Sequence, residues 1–508
     1  MDDVRDQHES TPATHALRSV ERATEKVADK NQSPLWLALD QGGHASRALV
    51  FDHRGKQVAQ AYAPITTQRQ DERVEHDARE ILDSLRIVVA DIALSLGNDV
   101  QRIKAAGLAT QRSSIVCWHA STGIPLSPVI SWQDTRNRVL VDSLQNHREQ
   151  IQEITGLVLS PHYGASKLRW CLDEIAEVKI ALQNRQLLCG PLASYLSHGL
   201  LEEHPHVVDP ANASRTQLWS PATGEWSPQL LQWFGIPKDV LPQPVATHHR
   251  YGTLRVGKQT VPLQICTGDQ AAVPFAMGKL QTDTIYLNAG TGAFMLAPLS
   301  KDLNAAPLLR SVLYSDATQI HFALEGTVNG AGSALNWFGE RSAIDVDRAL
   351  PLLQRRSIKQ SVPVFINGIG GIGSPYWLPN VKSEFVDADQ DERLMLVAVI
   401  ESVAFLIADN VVLMRTHLPD LKQILAGGGL SACKYLCECV ATLTGLPVMR
   451  VEEPELTAKG LAWLVAEQPI NWHDMNESAS YVPTGDDALV ARYQRWKHYI
   501  QSLQTTIL

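Results

Sequence analysis

The sequence has no excess of positive charge and no long apolar run. Its 508 residues carry 45 Lys and Arg against 54 Asp and Glu, a formal net charge of −9. This balance argues against nucleic acid or an anionic membrane surface as the main partner. No run of 18 or more apolar residues occurs, and the N-terminus lacks the basic and apolar regions of a signal peptide. We therefore expect a cytoplasmic protein.

Cysteine is scarce in any arrangement that would bind a metal or form disulfides. The seven cysteines are scattered, their number is odd and no Cys-x-x-Cys pair occurs, which leaves neither a disulfide framework nor a zinc signature. Cys433, Cys437 and Cys439 cluster in a stretch with helical periodicity, where cysteine usually behaves as a small buried apolar residue. We expect them to be buried, with a metal or redox role as the alternative.

The composition is that of a globular α/β protein. Hydrophobic residues make up 44% and charged residues 19% of the chain, enough for two or three cores at this length. Residues 1–33 are polar and predict a mobile N-terminal tail. Alternating helical and strand patterns follow, which indicates α/β layers. We expect two domains, 34–278 and 279–508.

A glycine-rich turn between two apolar runs occurs twice. The first copy contains Asp40-Gln41-Gly42-Gly43-His44-Ala45, and the second contains Asn288-Ala289-Gly290-Thr291-Gly292-Ala293. Both predict a strand, a tight turn and a returning strand, and small residues at such turns let backbone N–H groups approach a phosphate. One turn in each half of the chain favours a duplicated fold that grips one nucleotide from both sides.

Periodicity predicts the elements around these turns. In the first half it predicts strands at 48–52, 57–62, 103–109, 115–119 and 128–132, and a helix that begins at a capping box, Asp77 to Glu80, and ends at Gly97. In the second half it predicts strands at 320–325, 423–426 and 448–451. Helices are predicted after Gly332, from 392 to about 414, from the triple glycine 427–429 to about 444, and at 457–466.

Seven short motifs follow one another along the chain. They are Leu39-Asp40-Gln41-Gly42 with Ser46-Arg47, Val74-Glu75-His76-Asp77, Thr110-Gln111-Arg112, Asp209 with Asn212-Ala213-Ser214-Arg215-Thr216, Gly268-Asp269-Gln270, Gly290-Thr291-Gly292 and Gly373-Ser374-Pro375-Tyr376-Trp377. In this order and spacing, the chain from about residue 34 to about 466 resembles the FGGY carbohydrate kinases, most closely their glycerol kinase branch. The resemblance implies two actin-like, ribonuclease H-like ATPase domains, with ATP, Mg²⁺ and a sugar meeting in the cleft between them.

The resemblance also implies the roles of the reacting groups. Phosphoryl transfer needs donors on the phosphates, a metal-positioning carboxylate and a base. Asp269 would take the proton from the attacking hydroxyl and add a second carboxylate near the metal; alternatively, it only caps the following helix. Asp40 would orient Mg²⁺, or else it bonds the N–H groups of the next turn. Arg47 would face the transferred phosphate.

Further contacts follow from the family pattern. Sugar contacts would come from Arg112, Trp132, Asp269, Gln270 and Phe294. Nucleotide contacts would come from the glycine-rich turns and their surroundings, namely Gly42, Gly43, Gly290, Thr291, Gly292, Gly332, Asn336, Gly428, Gly429 and Cys433.

Two positions of the sugar pocket depart from the family. Ser113 replaces a glutamate, and His162 falls on a tyrosine position, with Tyr163 next to it; Ser113 and His162 are kept as candidate substrate contacts. A site discriminates strongly when a hydrogen bond to a substrate hydroxyl is lost. We therefore expect a glycerol-like or larger acceptor, and a larger polyol or a ketose such as xylulose would fill the space. Alternatively, His162 faces solvent or is satisfied in the core.

The first turn departs from the family as well. Gly43-His44-Ala45 stands where relatives usually have hydroxyl residues, so fewer side chains can donate to a phosphate. The main hypothesis is an ATP- and Mg²⁺-dependent kinase that phosphorylates a hydroxyl of a polyol or ketose. The alternative is a catalytically impaired sugar- or nucleotide-binding regulator on the same fold. Expected partners are small molecules, without nucleic acid or membrane; a homodimer or other homo-oligomer is the alternative to a monomer.

Overall fold

The computed structural model describes residues 33–301, 303, 305–353, 362–387, 391–470, 472 and 477–507. The tail predicted at 1–33 lies outside these residues, apart from Ser33, whose backbone oxygen accepts a hydrogen bond from the Arg102 side chain at 2.9 Å. The described residues contain one large mixed sheet in each half of the chain.

The first half is built on a six-stranded sheet with the order β14-β15-β6-β1-β2-β3 and a five-stranded sheet with the order β4-β5-β8-β7-β9. Two short pairs, β10-β13 and β11-β12, complete it. The strands are β1 Leu35–Gln41, β2 Ala45–Asp52, β3 Gln57–Pro64, β4 Gln68–Gln70, β5 Arg73–His76, β6 Ile103–Thr110, β7 Ile115–His119, β8 Val129–Ile130, β9 Leu187–Pro191, β10 Val207–Val208, β11 Trp219–Ser220, β12 Glu225–Trp226, β13 Gln243–Pro244, β14 His248–Val256 and β15 Gln259–Gly268.

Nine α-helices surround these sheets among the described residues. They are α1 Ala78–Leu96, α2 Arg138–Ser143, α3 Arg148–Thr155, α4 Gly164–Glu174, α5 Ala176–Gln183, α6 Leu192–Leu200, α7 Pro210–Ser214, α8 Pro228–Phe234 and α9 Asp269–Ala272. The predicted helix start at Asp77 and the stop at Gly97 are confirmed, since the Asp77 carboxylate accepts from the N–H groups of residues 79 and 80. The capping box also predicts a second hydrogen bond, from the Asp77 N–H to the Glu80 carboxylate. This prediction is wrong, because Glu80 accepts from the Thr66 N–H instead.

The second half repeats the opening plan. Its seven-stranded sheet has the order β18-β19-β17-β16-β22-β23-β24, and β20 pairs with β21. The strands are β16 Thr284–Ala289, β17 Ala293–Pro298, β18 Leu309–Ser315, β19 Ile320–Val328, β20 Val364–Ile366, β21 Glu384–Val386, β22 Gln423–Gly427, β23 Val448–Val451 and β24 Glu477–Tyr481. The helices are α10 Gly332–Gly339, α11 Val346–Ala349, α12 Glu392–His417, α13 Lys434–Thr444, α14 Leu456–Val465 and α15 Asp487–Ile507.

Both glycine-rich turns connect antiparallel strands, as predicted. In the first hairpin Asp40 stands opposite Arg47, and in the second Ala289 stands opposite Ala293. In each half the first strand of the hairpin also pairs in parallel with a strand far along the chain: β1 with β6, and β16 with β22. The duplicated hairpins therefore lie at equivalent places in the two large sheets.

The long helix α12 forms the centre of the second core. Among the described residues it is the one helix long and apolar enough to cross a membrane, but 89% of its most apolar stretch is buried inside the protein. It carries two buried carboxylates that bind the last helix, α15. Glu401 accepts from Arg492 Nε at 2.8 Å, and Asp409 pairs with Lys497 Nζ at 3.1 Å and with the Tyr493 hydroxyl.

Helix α14 joins the two halves, because it packs on β1 and β6 of the first sheet. Leu461 of α14 and Ala38 and Ala109 of that sheet are all buried in one apolar cluster. A Cβ atom on Gly107 of β6 would lie 2.7 Å from Leu461 Cδ1. Glycine at this position therefore allows the helix to lie close against the sheet.

Candidate active site

Three neighbouring parallel strands of the first sheet end at the same edge. Strand β6 lies between β1 and β15, and its Thr110 pairs with both Gln41 and Gly268. Because the carboxyl ends of parallel strands meet at one edge, the residues at these ends come together. The edge thus gathers Asp40, Arg112 and Asp269, which the sequence places on three distant segments.

Asp269 is the first residue of the short helix α9, and Gly268 occupies the cap position. Its Oδ1 accepts from the adjacent Gln270 N–H at 2.7 Å and lies 3.8 Å from Arg112 Nε. Burial raises the pKa of Asp269, and Arg112 opposes part of that rise. A quarter of the side chain is exposed, so this carboxylate faces an accessible space.

Asp40 is a buried carboxylate with little compensation. Burial raises its pKa to about 7, the negative charge of Asp269 adds to the rise, and Arg47 opposes it. Arg47 Nη1 lies 3.9 Å from Asp40 Oδ2. The Asp40 carboxylate accepts no hydrogen bond from any residue that the structure describes, and the Gly42 N–H donates to the Ala45 oxygen instead. The alternative that Asp40 bonds the turn is therefore wrong.

Two carboxylates at an open sheet edge fit a magnesium ion. Mg²⁺ is usually held by one or two carboxylates, with water and substrate phosphates filling its other positions. Asp40 and Asp269 offer such a pair, and the lack of other partners on Asp40 leaves its oxygens available. In the described part of the chain, three or more His, Cys, Asp or Glu side chains nowhere gather into a metal cage.

Glu455 is a charged residue of the site that the sequence analysis did not identify. Its Oε2 lies 3.0 Å from Arg47 Nη1, so it is the nearer of the two carboxylates around this guanidinium. Glu455 immediately precedes α14 and ends the acidic segment Glu452-Glu453-Pro454-Glu455. The run of acidic residues just after the strand predicted at 448–451 is the sequence feature that could have pointed to Glu455.

Arg112 is held by a carboxylate from the other half of the chain. Its Nη1 and Nη2 donate to Glu325 at 2.9 and 3.1 Å. Glu325 also accepts from Arg215 at 2.5 Å, and Arg215 donates to the Ser311 hydroxyl at 2.6 Å. Burial alone would raise the pKa of Glu325, but the two arginines lower it to about 2. The carboxylate is therefore ionised at the centre of a buried ion cluster.

The predicted sugar contacts line the same region. Trp132 is half-buried, and its backbone oxygen lies 3.2 Å from His162 Nδ1. Burial lowers the pKa of His162 to about 4, and the charge of Lys167 adds to this effect. Ser113 has a φ of 65°. Gln270 Oε1 accepts from Asn288 Nδ2 at 3.0 Å, which again joins the two halves.

The neighbouring Tyr163 is more deeply buried than His162. Burial raises the pKa of its hydroxyl to about 12, and Arg215, Glu325 and Arg112 all act on it electrostatically. Tyr163 thus belongs to the ion cluster around Glu325. Phe294 is half-buried in β17, opposite Asn288.

The glycines predicted to contact the nucleotide fall into two groups. A Cβ atom added to Gly43, Gly290 or Gly429 would meet nothing within 4 Å, so these residues border open space. The other group is required by packing, because an added Cβ would lie 3.0 Å or less from a backbone oxygen. It comprises Gly292, Gly332 and Gly428. Gly42 belongs to neither group, since its Cβ would make an ordinary contact at 3.6 Å.

The remaining predicted nucleotide residues differ in exposure. Thr291 and Asn336 are exposed. Cys433 is 4% exposed and stands at the cap of α13, while Cys437 and Cys439 are also free and buried. The expected burial of these three cysteines is confirmed.

Comparison with known proteins assigns this architecture. The family model for the N-terminal domain of the FGGY carbohydrate kinases matches residues 35–276, and the model for their C-terminal domain matches residues 285–467. This chain belongs to the FGGY family of carbohydrate kinases. It is therefore an ATP-dependent sugar or polyol kinase with two actin-like domains.

Individual proteins with similar sequences to this FGGY kinase include glycerol kinases. It is 32% identical to a glycerol kinase of Rhodopirellula baltica over 454 residues, covering 86% of this chain and 83% of the relative. A glycerol kinase of Halothermothrix orenii is 31% identical over 87% of this chain and 91% of its own length.

Solved structures show the same fold. A glycerol kinase of Plasmodium falciparum with ADP superposes with a TM-score of 0.81 at 20% identity, covering 94% of this chain and 99% of that one. A ligand-bound xylulose kinase of Lactobacillus acidophilus gives a TM-score of 0.78 at 20% identity over 93% and 98% of the two chains.

The first glycine-rich turn of this FGGY kinase offers few side-chain donors. The Ser46 hydroxyl is fully buried and lies 2.8 Å from that of Ser84 in α1, so it points away from the open edge. His44 is exposed at the turn. Backbone N–H groups, Arg47 and the exposed ring of His44 are therefore the donors that this turn can present.

Proposed function

We propose that this kinase transfers the γ-phosphate of ATP to a hydroxyl of a polyol or ketose, with Asp269 as the general base. The observation that carries the proposal is the convergence of Asp40, Arg112 and Asp269 at the ends of three adjacent parallel strands. A metal-orienting carboxylate, a substrate-binding cation and a base are the groups that this reaction needs in one place.

Asp269 is suited to accept the proton of the attacking hydroxyl. The raised pKa makes its carboxylate a stronger base than an exposed aspartate, and a positioned base typically contributes ~10²–10⁴-fold to the rate. Arg112 lies on its other side and can bind a second hydroxyl of the same substrate. Its Nε lies 3.8 Å from Asp269 Oδ1, which is too long for a direct hydrogen bond.

Asp40 and Asp269 would hold Mg²⁺, which supplies charge neutralisation on the phosphates when bound. Arg47 stands beside Asp40 on the returning strand and would contact the transferred phosphate. Gly43, Gly290 and Gly429 border open space and would let backbone N–H groups approach the nucleotide. We place the reaction in the cytoplasm because it consumes ATP.

The acceptor pocket supports a larger substrate than glycerol. His162 is neutral, and its Nδ1 faces the Trp132 oxygen, which can only accept. Nδ1 therefore carries the proton, and Nε2 remains as an acceptor for a sugar hydroxyl. With Ser113 in place of a glutamate, the pocket has fewer acidic groups and more room.

A screen of ATP consumption across glycerol, erythritol, ribitol, xylulose and ribulose tests the proposal. We expect turnover with a ketose or a longer polyol to exceed turnover with glycerol. Asp269→Asn should reduce kcat at least 100-fold while the acceptor still binds in calorimetry. Glycerol as the only substrate would contradict the pocket assignment, and an unchanged kcat in Asp269→Asn would contradict the base assignment.

A regulator that binds sugar and nucleotide without efficient catalysis is the second candidate. The observation that favours it is the first glycine-rich turn, where Ser46 is buried against Ser84 and no other hydroxyl stands between Gly43 and Arg47. Binding of ATP and a sugar without ATP consumption across the screen would select this candidate.

A further inference from the structure

Lys167 lies in α4 and is fully buried. Its ammonium donates to the backbone oxygens of Ser131 and His162, both at 2.7 Å, and to that of Ser113 at 3.4 Å. These three oxygens belong to three separate segments of chain. Each segment carries one or more proposed acceptor contacts: Ser113 follows Arg112, Ser131 precedes Trp132, and His162 is itself a contact.

The chemistry of this position requires lysine. An ammonium is the side-chain group that offers three donors on a single atom, and here it meets three converging carbonyl oxygens. Arginine presents its donors in a planar fork, which does not suit three oxygens around one point. Burial lowers the pKa of Lys167 to about 7, Arg136 adds to this effect and Asp134 opposes it. The Asp134 carboxylate already binds Arg136 and the Val74 N–H.

Direct hydrogen bonds also join these three segments to one another. His162 Nδ1 bonds the Trp132 oxygen, and the Trp132 N–H donates to the Ser114 hydroxyl at 3.0 Å. Lys167 adds the connection that these bonds lack, since it reaches the Ser113 segment and the His162 segment at once. Burying a cation costs free energy. A side chain that only filled this space would therefore stabilise the fold better if it were apolar.

We propose that Lys167 is the positioning residue of the acceptor pocket, where its ammonium fixes the Arg112-Ser113, Trp132 and His162 walls relative to Asp269. This rests on the proposed function, because it assumes that these walls bind the acceptor. Lys167 itself does not touch the substrate. Its effect is therefore on acceptor affinity and alignment, while the proposed nucleotide contacts, none of which it bonds, are unaffected.

Steady-state kinetics of Lys167→Met and Lys167→Gln test this role. Methionine removes all three donors at similar length, whereas glutamine retains two donors on one nitrogen. We expect the acceptor KM to rise at least 10-fold in Lys167→Met and less in Lys167→Gln, with kcat reduced and the ATP KM within 2-fold of wild type.

Leu172→Ala is the matched control, because Leu172 is buried in the same helix and contacts the apolar core. It should lower the melting temperature without changing the acceptor KM. Lys167 has only a structural role if the two variants keep the acceptor KM within 2-fold of wild type. The same conclusion follows if they raise the acceptor KM and the ATP KM by equal factors. If Lys167→Met does not fold, Lys167→Gln alone decides. A wild-type protein without kinase activity would instead overturn the proposed function.

Discussion

Arg112 and Glu325 form a two-point ion pair between the two halves of the kinase, with Nη1 and Nη2 at 2.9 and 3.1 Å from the carboxylate oxygens. The arginine follows a strand of the first sheet, and the glutamate lies within a strand of the second. The acceptor pocket and the second domain are therefore joined through a residue that we propose to bind substrate.

Glu325→Gln should strongly destabilise the protein, because it leaves Arg112 and Arg215 buried without their shared carboxylate. Removing one partner of a buried ion pair typically costs about 3–5 kcal/mol. Urea unfolding at pH 7.5 measures this loss. The control is Asp173→Asn, which removes the exposed partner of Arg169 and should cost no more than about 1 kcal/mol. Equal losses in the two variants would contradict the importance of the cluster.

The two groups of glycines should respond differently to alanine. Gly290→Ala adds a methyl group into open space, so we expect an unchanged melting temperature and an ATP KM raised about 10-fold, since each 1.4 kcal/mol of lost binding gives a factor of ten. Gly428→Ala should instead lower the melting temperature, because Gly428 has a φ of 83° and its Cβ would lie 2.5 Å from the Ala289 oxygen. Kinetics and thermal melting on both variants separate a ligand contact from a packing requirement.

Restoring the family residues in the acceptor pocket should change the preferred substrate. In the double variant Ser113→Glu and His162→Tyr, we expect kcat/KM for glycerol to rise and that for the preferred larger acceptor to fall. A lost or gained hydrogen bond to a substrate hydroxyl changes discrimination by about 10⁴ in favourable cases. The single variants identify which position contributes. A ratio of the two kcat/KM values that stays constant would mean that these residues do not select the acceptor.

His206 should make stability depend on pH. Burial lowers its pKa to about 4, and His198 adds to this, against an ordinary value of 6.5. The unfolded chain therefore binds a proton between pH 6.5 and 4 that the folded protein does not bind, so stability present above pH 6.5 is lost as the pH falls. Relative to His206→Asn, wild type should lose about 1–2 kcal/mol between pH 7.5 and 5 in urea unfolding. The exposed His248→Asn serves as control, and parallel curves for wild type and His206→Asn would contradict the argument.

The local parts of the fold could be predicted from the sequence. Both glycine-rich hairpins, the cap at Asp77 and the strand at 448–451 follow from turn residues and short-range periodicity. The predicted strand at 128–132 shortens to Val129–Ile130. Beyond it, the Ser131 oxygen accepts from Lys167 and the Trp132 N–H donates to the Ser114 hydroxyl.

The partners across the cleft could not be predicted in this way. Glu325 lies in the middle of a strand whose neighbours are apolar, and nothing nearby in the sequence indicates that it meets two arginines from the other half. Glu455 likewise meets Arg47 only through tertiary packing. Periodicity reports which face of an element is buried, whereas the pairing of charges depends on how distant elements meet. The roles of the glycines also required the structure, since spacing does not separate an open turn from a crowded one.

The last helix, α15, has a practical consequence for anyone who produces this protein. The match to the family ends at residue 467, so a protein truncated to the matched range would lack α15. Removing α15 would leave the buried carboxylates Glu401 and Asp409 without the arginine, lysine and tyrosine side chains that bind them. It would also remove Leu489, Trp496 and Ile500 from the apolar core of the second half. The shortened polypeptide would therefore expose part of the second core to solvent and lose stability.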